Sequence, residues 1–350
     1  MYLEKLMYEN VGPINEVHLD LSFSENGSPK PILFVGENGS GKSTLISNIV
    51  DSFYEMAGVV FENATEAVEG GGHQYYKSIS SVEINAGKQY MFSYIGYKDT
   101  KNFAYVLKCG NISIAELKSK IGTVESQKFN SEESVNYKAI TIEHDDVRRI
   151  WENNVICYFG PDRYEKPVWM GKKYYKTEEF LHLTIKDRWS GYLYNPISVK
   201  DVTSANLQWL LDVIVDSRPD IDIKENRLEI THINTSTLIE LRKARENLEL
   251  IMSKIIGEEV YFGLNFRNNG ISRFKILRKR DDSIIAPSLD SLSTGQIALF
   301  NLFSTIVRYA DYNKIRQSIN LSEITGIVVI DEIELHLHTK LQREVLPQLI

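Results

Sequence analysis

Two cysteines in 350 residues, Cys109 and Cys157, do not make a disulfide framework. A reducing cytoplasm is the simplest home to expect for such a chain. No apolar run approaches the length of a membrane span, and Met1-Tyr2-Leu3-Glu4-Lys5 lacks the pattern of a signal peptide. There is no internal repeat and no low-complexity tract. Positive charge is in short supply. Lys and Arg number 40 against 47 Asp and Glu, a net charge of −7. That balance argues against a surface coated in basic residues and leaves room for a local basic patch. The remaining composition, 43% hydrophobic and 25% charged, is that of an ordinary soluble globular protein with one large or two modest domains.

The most specific stretch is Gly36-Glu37-Asn38-Gly39-Ser40-Gly41-Lys42-Ser43-Thr44. It follows the apolar run Pro31-Ile32-Leu33-Phe34-Val35 and opens the amphipathic segment Leu45-Ile46-Ser47-Asn48-Ile49-Val50. Strand, Gly-rich turn and helix, with G-x-x-x-x-G-K-S across the turn, match the phosphate-binding P-loop in its required context. Glycines at 36, 39 and 41 let backbone N–H groups, with those of Asn38 and Ser40, close around a phosphate where a Cβ would block approach. The helix start, from Lys42 to Thr44, adds unpaired donors and a partial positive charge. Lys42 can reach the β- and γ-phosphates of ATP, and the Ser43 hydroxyl can ligate Mg²⁺.

Residues 2–9 and 16–22 read as strands joined by Asn10-Val11-Gly12-Pro13, with Val17, Leu19 and Leu21 on one face of the second. Residues 62–77 read as a loop tipped by Gly70-Gly71-Gly72. Runs at 78–85, 89–98 and 102–108, rich in Val, Ile, Tyr and Phe, predict an antiparallel meander rather than another βαβ unit. Residues 110–137 are polar, with 126–133 the most mobile part expected. Strands are expected at 138–144 and at Val155-Ile156-Cys157-Tyr158-Phe159. Next come Arg163, Tyr164, Trp169, Lys172, Lys173, Tyr174, Tyr175 and Lys176. Such interleaving can stack on nucleic acid, although a solvated connecting loop is the commoner outcome. Helices are expected at 203–217 and 236–256 and a strand at 227–233. The longer helix would be a lid or hairpin arm, too short for a long coiled coil. Residues 259–267 and 271–279 form a hairpin around Asn268-Asn269-Gly270. Arg267, Arg273, Lys275, Arg278, Lys279 and Arg280 make it the most basic part of the chain. It is either a charge-protected edge or a contact to a phosphate backbone.

Near the end, Ile327-Val328-Val329-Ile330-Asp331-Glu332 describes a buried strand with two acids at its carboxyl end, where ligands of open α/β sheets bind. Asp331 would hold Mg²⁺, directly or through water, and Glu332 would orient or deprotonate an attacking water. Ahead of it, Leu292-Ser293-Thr294-Gly295-Gln296 precedes a helix with Leu299, Leu302, Phe303, Ile306 and Val307 on its apolar side. Ser before a helix is also an ordinary cap.

In the order P-loop, L-S-T-G-Q, acid pair, the chain resembles ABC-type ATPase heads, with Thr294 in the variable place of the signature. The resemblance implies an α/β fold, a P-loop NTPase head with an antiparallel β lobe and a helical lid insertion. It implies two heads facing each other, with Ser293, Gly295 and Gln296 of one turned toward the γ-phosphate of ATP on the other. The large insertion between Lys42 and Leu292, and Ile333-Glu334-Leu335-His336-Leu337-His338 after the acids, are similar to the RecF-like, OLD-like and SMC-like ATPases of DNA repair and anti-phage defence. Glu9-Asn10-Val11-Gly12-Pro13-Ile14 resembles the opening of that group, and Tyr158-Phe159-Gly160-Pro161-Asp162-Arg163 a stretch of stand-alone, PtuA-like defence ATPases. The resemblance covers roughly residues 1–57 and 285–350. It departs at the Q-loop, for which Gln127 is a poor candidate, and at Thr339, where a proline is usual. The switch histidine would lie beyond Ile350, so a natural protein is expected to continue. His336 and His338 more often mean local packing than a metal site.

The expected organisation is an N-terminal ATPase lobe (1–160), an insertion with lid and basic hairpin (161–284), and a signature and acid-pair lobe (285–350). The expected activity is that of an ATPase that uses ATP and Mg²⁺, dimerises head to head, and drives or gates a nucleic-acid process with an effector nuclease or toxin, away from membranes. The rival reading is a nucleotide-sensing module that controls such a partner without touching DNA.

Overall fold

Left-handed residues at Asn10 and Gly12, with φ of 57° and 54°, fold the chain back after its first strand. In the computed structural model, β1 (Tyr2–Val11) and β2 (Ile14–Asp20) pair antiparallel, with Lys5 opposite Asp20. The structure describes residues 1–64, 67–68, 72–73, 79–122, 135–161, 191–200, 202–219, 221–224, 227–230, 235–265, 272–313 and 319–350. Gly70 and Gly71, residues 126–133 with Gln127, Asp162, the aromatic and basic residues 163–176, Arg267 and the turn at 268–270 lie outside the described residues. The described residues divide into two compact units: 1–158, 191–198 and 325–331 in one, and 159–161, 199–324 and 332–350 in the other.

The first unit is built on a five-stranded sheet, ordered β2-β1-β5-β6-β7. β5 (Tyr90–Lys98), β6 (Phe103–Gly110) and β7 (Asn136–Ile140) are the antiparallel meander that the sequence predicts. Its first expected strand, 78–85, is instead a 3₁₀ turn at Ser81–Glu83 and one bridge from Ile84 to Val11. Ser80, Ser81 and Asn85 favour such local turns over a ladder, and Val82 points into solvent. A two-residue pair, β3 (Ala67–Val68) with β4 (Gly72–His73), lies within the stretch read as a loop.

Side chains alternate across the sheet. Leu6, Tyr8, Ile95, Tyr105 and Leu107 pack with Ile49, Val50, Phe53 and Met56 of α1 (Lys42–Gly58). Met7, Phe92, Tyr94 and Val106 pack with Ile112, Leu117 and Ile121, the last two on α2 (Ile114–Ile121). This helix falls in the stretch read only as polar. Ser113 caps it, accepting the Glu116 N–H at 3.1 Å. α3 (His144–Asn153) ends the strand expected to reach 144, and buries Val147, Ile150 and Trp151.

Residues 31–35 correct the expectation of a strand before the Gly-rich loop. They join no ladder among the described residues, and Leu33 and Val35 are 78% and 84% exposed. The apolar composition suggests a strand, but a strand is made by pairing, and Pro29 and Pro31 bring no N–H donors to it. The acid-bearing strand, β15 (Gly326–Ile330), does form, in a three-stranded sheet ordered β15-β8-β9 with β8 (Val155–Phe159) and β9 (Ser198–Val199).

The second unit packs α4 (Thr203–Asp216), α5 (Thr235–Ile256) and α6 (Thr294–Asn313) with β12 (Val260–Leu264) and β13 (Phe274–Arg278). Leu210, Ile214, Leu248, Ile251, Met252 and Leu299 meet Val260, Phe262 and Ile276 in its core. The apolar half of α5 lies in that core, while Ile239 nearer its start is 65% exposed. A buried polar network crosses α4 and α6. Asn206 donates to the Asn301 carbonyl at 3.1 Å and to the Thr305 hydroxyl at 3.0 Å, and Arg308 donates to Asn206 at 2.9 Å while lying over the rings of Tyr309 and Tyr312. β14 (Ile284–Ala286) adds a third strand to the expected β12–β13 hairpin. β10 (Ile221–Lys224), which the sequence reading missed, pairs with β11 (Arg227–Ile230).

Candidate nucleotide site

The loop from Gly36 to Gly41 ends at the N-terminus of α1, capped by Gly41 with φ 99°. A Cβ at Gly41 would meet Ile14 Cγ1 at 2.6 Å and Pro13 Cγ at 3.2 Å, so both the dihedral and the strand turn beneath it require glycine. No side chain caps this helix end. The first helical bond is Leu45 N–H to the Gly41 carbonyl, at 2.9 Å. The N–H groups of Lys42, Ser43 and Thr44 precede that bond and have no acceptor within the helix. Ser43 is exposed and Thr44 buried. Gly36, Asn38, Gly39 and Ser40 are exposed, with Gly39 at φ 81°. The Lys42 ammonium turns back over the loop, donating to the carbonyls of Gly36 at 2.7 Å and Glu37 at 2.8 Å.

α1 buries polar groups that the sequence reading missed. Asn48 is fully buried and its amide has no hydrogen-bond partner among the described residues, and Asp51 is 1% exposed. Tyr105 of β6 donates to Asp51 Oδ2 at 2.7 Å. Burial raises the Asp51 carboxyl to about 6 against pulls in the other direction from Lys138 and the Tyr105 hydrogen bond, with Glu55 adding to the rise. The available signal was an Asn and an Asp three residues apart, on one side of a helix, flanking the apolar pair Ile49-Val50.

Asp331 is buried at the end of β15, in the same unit as the loop. The next residue, Glu332, is exposed, belongs to the second unit, and has φ 49°, as His336 has 65°. Left-handed conformations at non-glycine residues are uncommon and cluster at functional sites. The turn is closed by Leu335 N–H to Glu332 O at 2.9 Å and Leu337 N–H to Glu334 O at 3.0 Å.

Ser293 and Gln296 form a reciprocal cap on α6. The Ser293 N–H donates to Gln296 Oε1 at 3.0 Å and the Gln296 N–H to Ser293 Oγ at 3.3 Å. Gly295 is buried behind them. A Cβ there would stand 2.9 Å from Leu341 Cδ1 and 3.1 Å from the His336 carbonyl oxygen. Gly295 therefore packs on the turn that follows Asp331 and Glu332. His338 accepts the Lys340 N–H at 3.3 Å, and no cluster of three or more His, Cys, Asp or Glu occurs among the described residues.

Two of the hairpin's arginines are paired with acids. Arg278 makes a paired contact to Glu258 at 2.6 and 3.0 Å, Arg280 lies 3.3 Å from Asp281, and Arg273 donates to the Asn265 carbonyl at 3.0 Å.

Loop, helix and acid-ended strand define a P-loop NTPase head of the ABC-like type, and the chain belongs to the AAA-domain family. An AAA-domain profile matches residues 5–256, and a second, described as "AAA domain, putative AbiEii toxin, Type IV TA system", matches residues 174–350. Among curated proteins it is similar to "Retron Ec83 probable ATPase" of Escherichia coli, 25% identical over 97% of this chain. The chain spans 64% of that relative's length. Two structures of the recombination mediator protein RecF of the RecFOR pathway, recorded as RecF-ATPrS and RecF-ATP, align over 99% of this chain and 90% of theirs. Their TM-scores are 0.36 and 0.34, with 10% and 12% identity. No helix among the described residues is long and apolar enough to cross a membrane.

Proposed function

We propose that the chain binds and hydrolyses Mg-ATP, associates head to head around it, and couples that cycle to a nucleic-acid-directed process in defence or repair. The observation that carries this reading is the loop at Gly36–Thr44: a glycine-capped helix start with open N–H groups, under a lysine held by two carbonyls. A polyphosphate offers Lys42 charged oxygens in place of neutral carbonyls, and charge-assisted bonds are roughly twice as strong. Ser43 and Asp331 bring hard oxygen donors of the kind Mg²⁺ takes. Bound there, the ion would supply charge neutralisation between the phosphates. Glu332 accepts the proton of the attacking water as its oxygen bonds to the γ-phosphorus and the bond to ADP breaks. Ser293, Gly295 and Gln296 face the γ-phosphate of the opposite head, with Gln296 also keeping Ser293 in place. A cytoplasmic home fits two buried thiols.

Glu332→Gln tests the reading. It should still bind ATP, hydrolyse it about 10²–10⁴-fold more slowly, and sediment as a dimer with ATP and as a smaller species without it. Turnover at the parental rate would remove Glu332 from the chemistry.

A second reading has its own support. Arg278 and Arg280 are already paired to Glu258 and Asp281, and the net charge is −7, so two of the hairpin's arginines are engaged by acids rather than open to a phosphate backbone. A module whose nucleotide state governs an effector nuclease or toxin needs no such basic surface. Salt-dependent DNA binding by the head supports the first reading, and its absence supports the second.

A further inference from the structure

Glu332 and His336 both sit in the left-handed region, with φ of 49° and 65°. Non-glycine residues hold such dihedrals only where their surroundings over-determine them. The bond from Leu337 N–H to the Glu334 carbonyl closes a four-residue turn with His336 in its third place. A positive φ there ordinarily belongs to Gly or Asn. A side chain from further along the chain reinforces that bond. The Gln342 amide nitrogen donates to the Leu337 carbonyl at 2.9 Å and to the Glu334 carbonyl at 3.4 Å. It carries two hydrogens, one for each carbonyl, and the two carbonyls bracket His336.

Gln342 works from a fixed base. Its own N–H donates to the His338 carbonyl at 3.1 Å. Val345 and Leu346, just beyond it, are buried in the core of the second unit, and so is Leu337. The turn is therefore gripped from two sides. The start of α6 meets it where Gly295 lies against the His336 carbonyl, and Gln342 spans the carbonyls of Glu334 and Leu337.

We propose that Gln342 is a positioning residue for the Glu332 carboxylate, acting through the turn and not on the substrate. This role rests on the reading that Glu332 takes the proton of the attacking water. Supporting residues locked in place are what hold a catalytic group in its productive geometry. The Glu332 carbonyl accepts the Leu335 N–H at 2.9 Å, and Leu335 lies inside the span that Gln342 holds. With both donations removed, His336 loses contacts that offset its dihedral, and the chain from Glu334 to Leu337 gains other conformations. The carboxylate then samples more than one heading. A displacement of about 1 Å can slow a reaction on the order of 10²-fold.

Gln342→Met tests this role. Methionine has a similar length, favours a helix about as well, and offers no donor. The Glu334 carbonyl keeps the Leu337 N–H, so the fold should survive. The kcat for ATP should fall roughly tenfold to a hundredfold. KM should change less than about twofold, because the Gly36–Thr44 loop is in the other unit. In a Glu332→Gln background the same substitution should lower kcat no further, since it acts only through that carboxylate. Gln342→Lys, with donors on a flexible stem, should keep kcat within about threefold of the parent. A Met variant at the parental rate, a Lys variant as slow as the Met variant, or an equal further loss in the Glu332→Gln background would each overturn the role of Gln342. Parental turnover by Glu332→Gln would instead overturn the reading beneath it.

Discussion

Lys42 Nζ lies 2.7 Å from the carbonyl oxygen of Gly36, six residues earlier, and so closes the loop with the same group proposed to meet a phosphate. The ammonium therefore exchanges one set of oxygens for another when nucleotide arrives. Lys42→Ala should weaken ATP binding by tenfold to a hundredfold or more, since hydrogen bonds to charged groups contribute roughly 1.5–3 kcal/mol. Its effect on folding should be small, because the contacts are exposed. Calorimetric titration with ATP reads the first and urea unfolding the second. Equal affinity in the variant would separate Lys42 from the phosphates.

Gly295 makes a sharper stability prediction. Glycine to alanine inside a helix ordinarily gains roughly 0.5–1 kcal/mol. Here the new methyl meets Leu341, which can move, and the His336 carbonyl, which is backbone. Gly295→Ala should cost about 1–3 kcal/mol in urea. Ser293→Ala, which removes the cap, should cost about 1 kcal/mol. A stabilised Gly295→Ala would mean that the turn after Glu332 is not packed on the start of α6.

Asp51 ties stability to pH. The folded carboxyl, raised to about 6 from its ordinary 3.8, still holds a proton where the unfolded one has lost it. Folding thus takes up a proton between about pH 4 and 6. Stability falls as pH rises through that window, by on the order of 3 kcal/mol, and is level above it. The groups bearing on Asp51 are Tyr105, Lys138 and Glu55. Asp51→Asn keeps the acceptor for the Tyr105 hydroxyl and removes the buried charge. Its melting temperature should lose this part of the slope between pH 4 and 6, and match or exceed the parent at pH 7.5. Parallel melting curves would contradict it.

The pairing of Arg278 with Glu258 predicts a silent substitution. Arg278→Ala should leave the salt slope of DNA binding, if DNA binds, unchanged. A log–log salt titration that loses about one unit of slope would make the hairpin a phosphate contact.

Much of this was legible where a local pattern and its chemistry coincide. The P-loop helix begins where glycine and lysine indicate. The helix α6 starts on a Ser-x-x-Gln cap, and the meander strands carry their β-branched and aromatic runs. Where a pairing had to be supplied from elsewhere, sequence gave less. Residues 31–35 have the composition of a strand and no ladder. β10 was missed because Ile221-Asp222-Ile223-Lys224 is short and its meaning lies in its register with β11. α2 and α3 were hidden in polar stretches whose few apolar residues, Leu117 and Ile121 or Val147 and Ile150, are nonetheless the ones that pack. The left-handed turn at Glu332 could not be read at all, since nothing about glutamate favours it.

The buried network of Asn206, Asn301, Thr305 and Arg308 has a consequence for the other end of its helix. Apolar helix faces slide past one another at little cost, one ridge being much like the next. Directional bonds do not allow that: a one-turn slip of α6 against α4 would strand an arginine and two amides away from water. The network therefore works as an index mark. It spans roughly 9 to 20 Å along α6 from Gly295, at 1.5 Å per residue, and it fixes the axial setting of the Ser293 end.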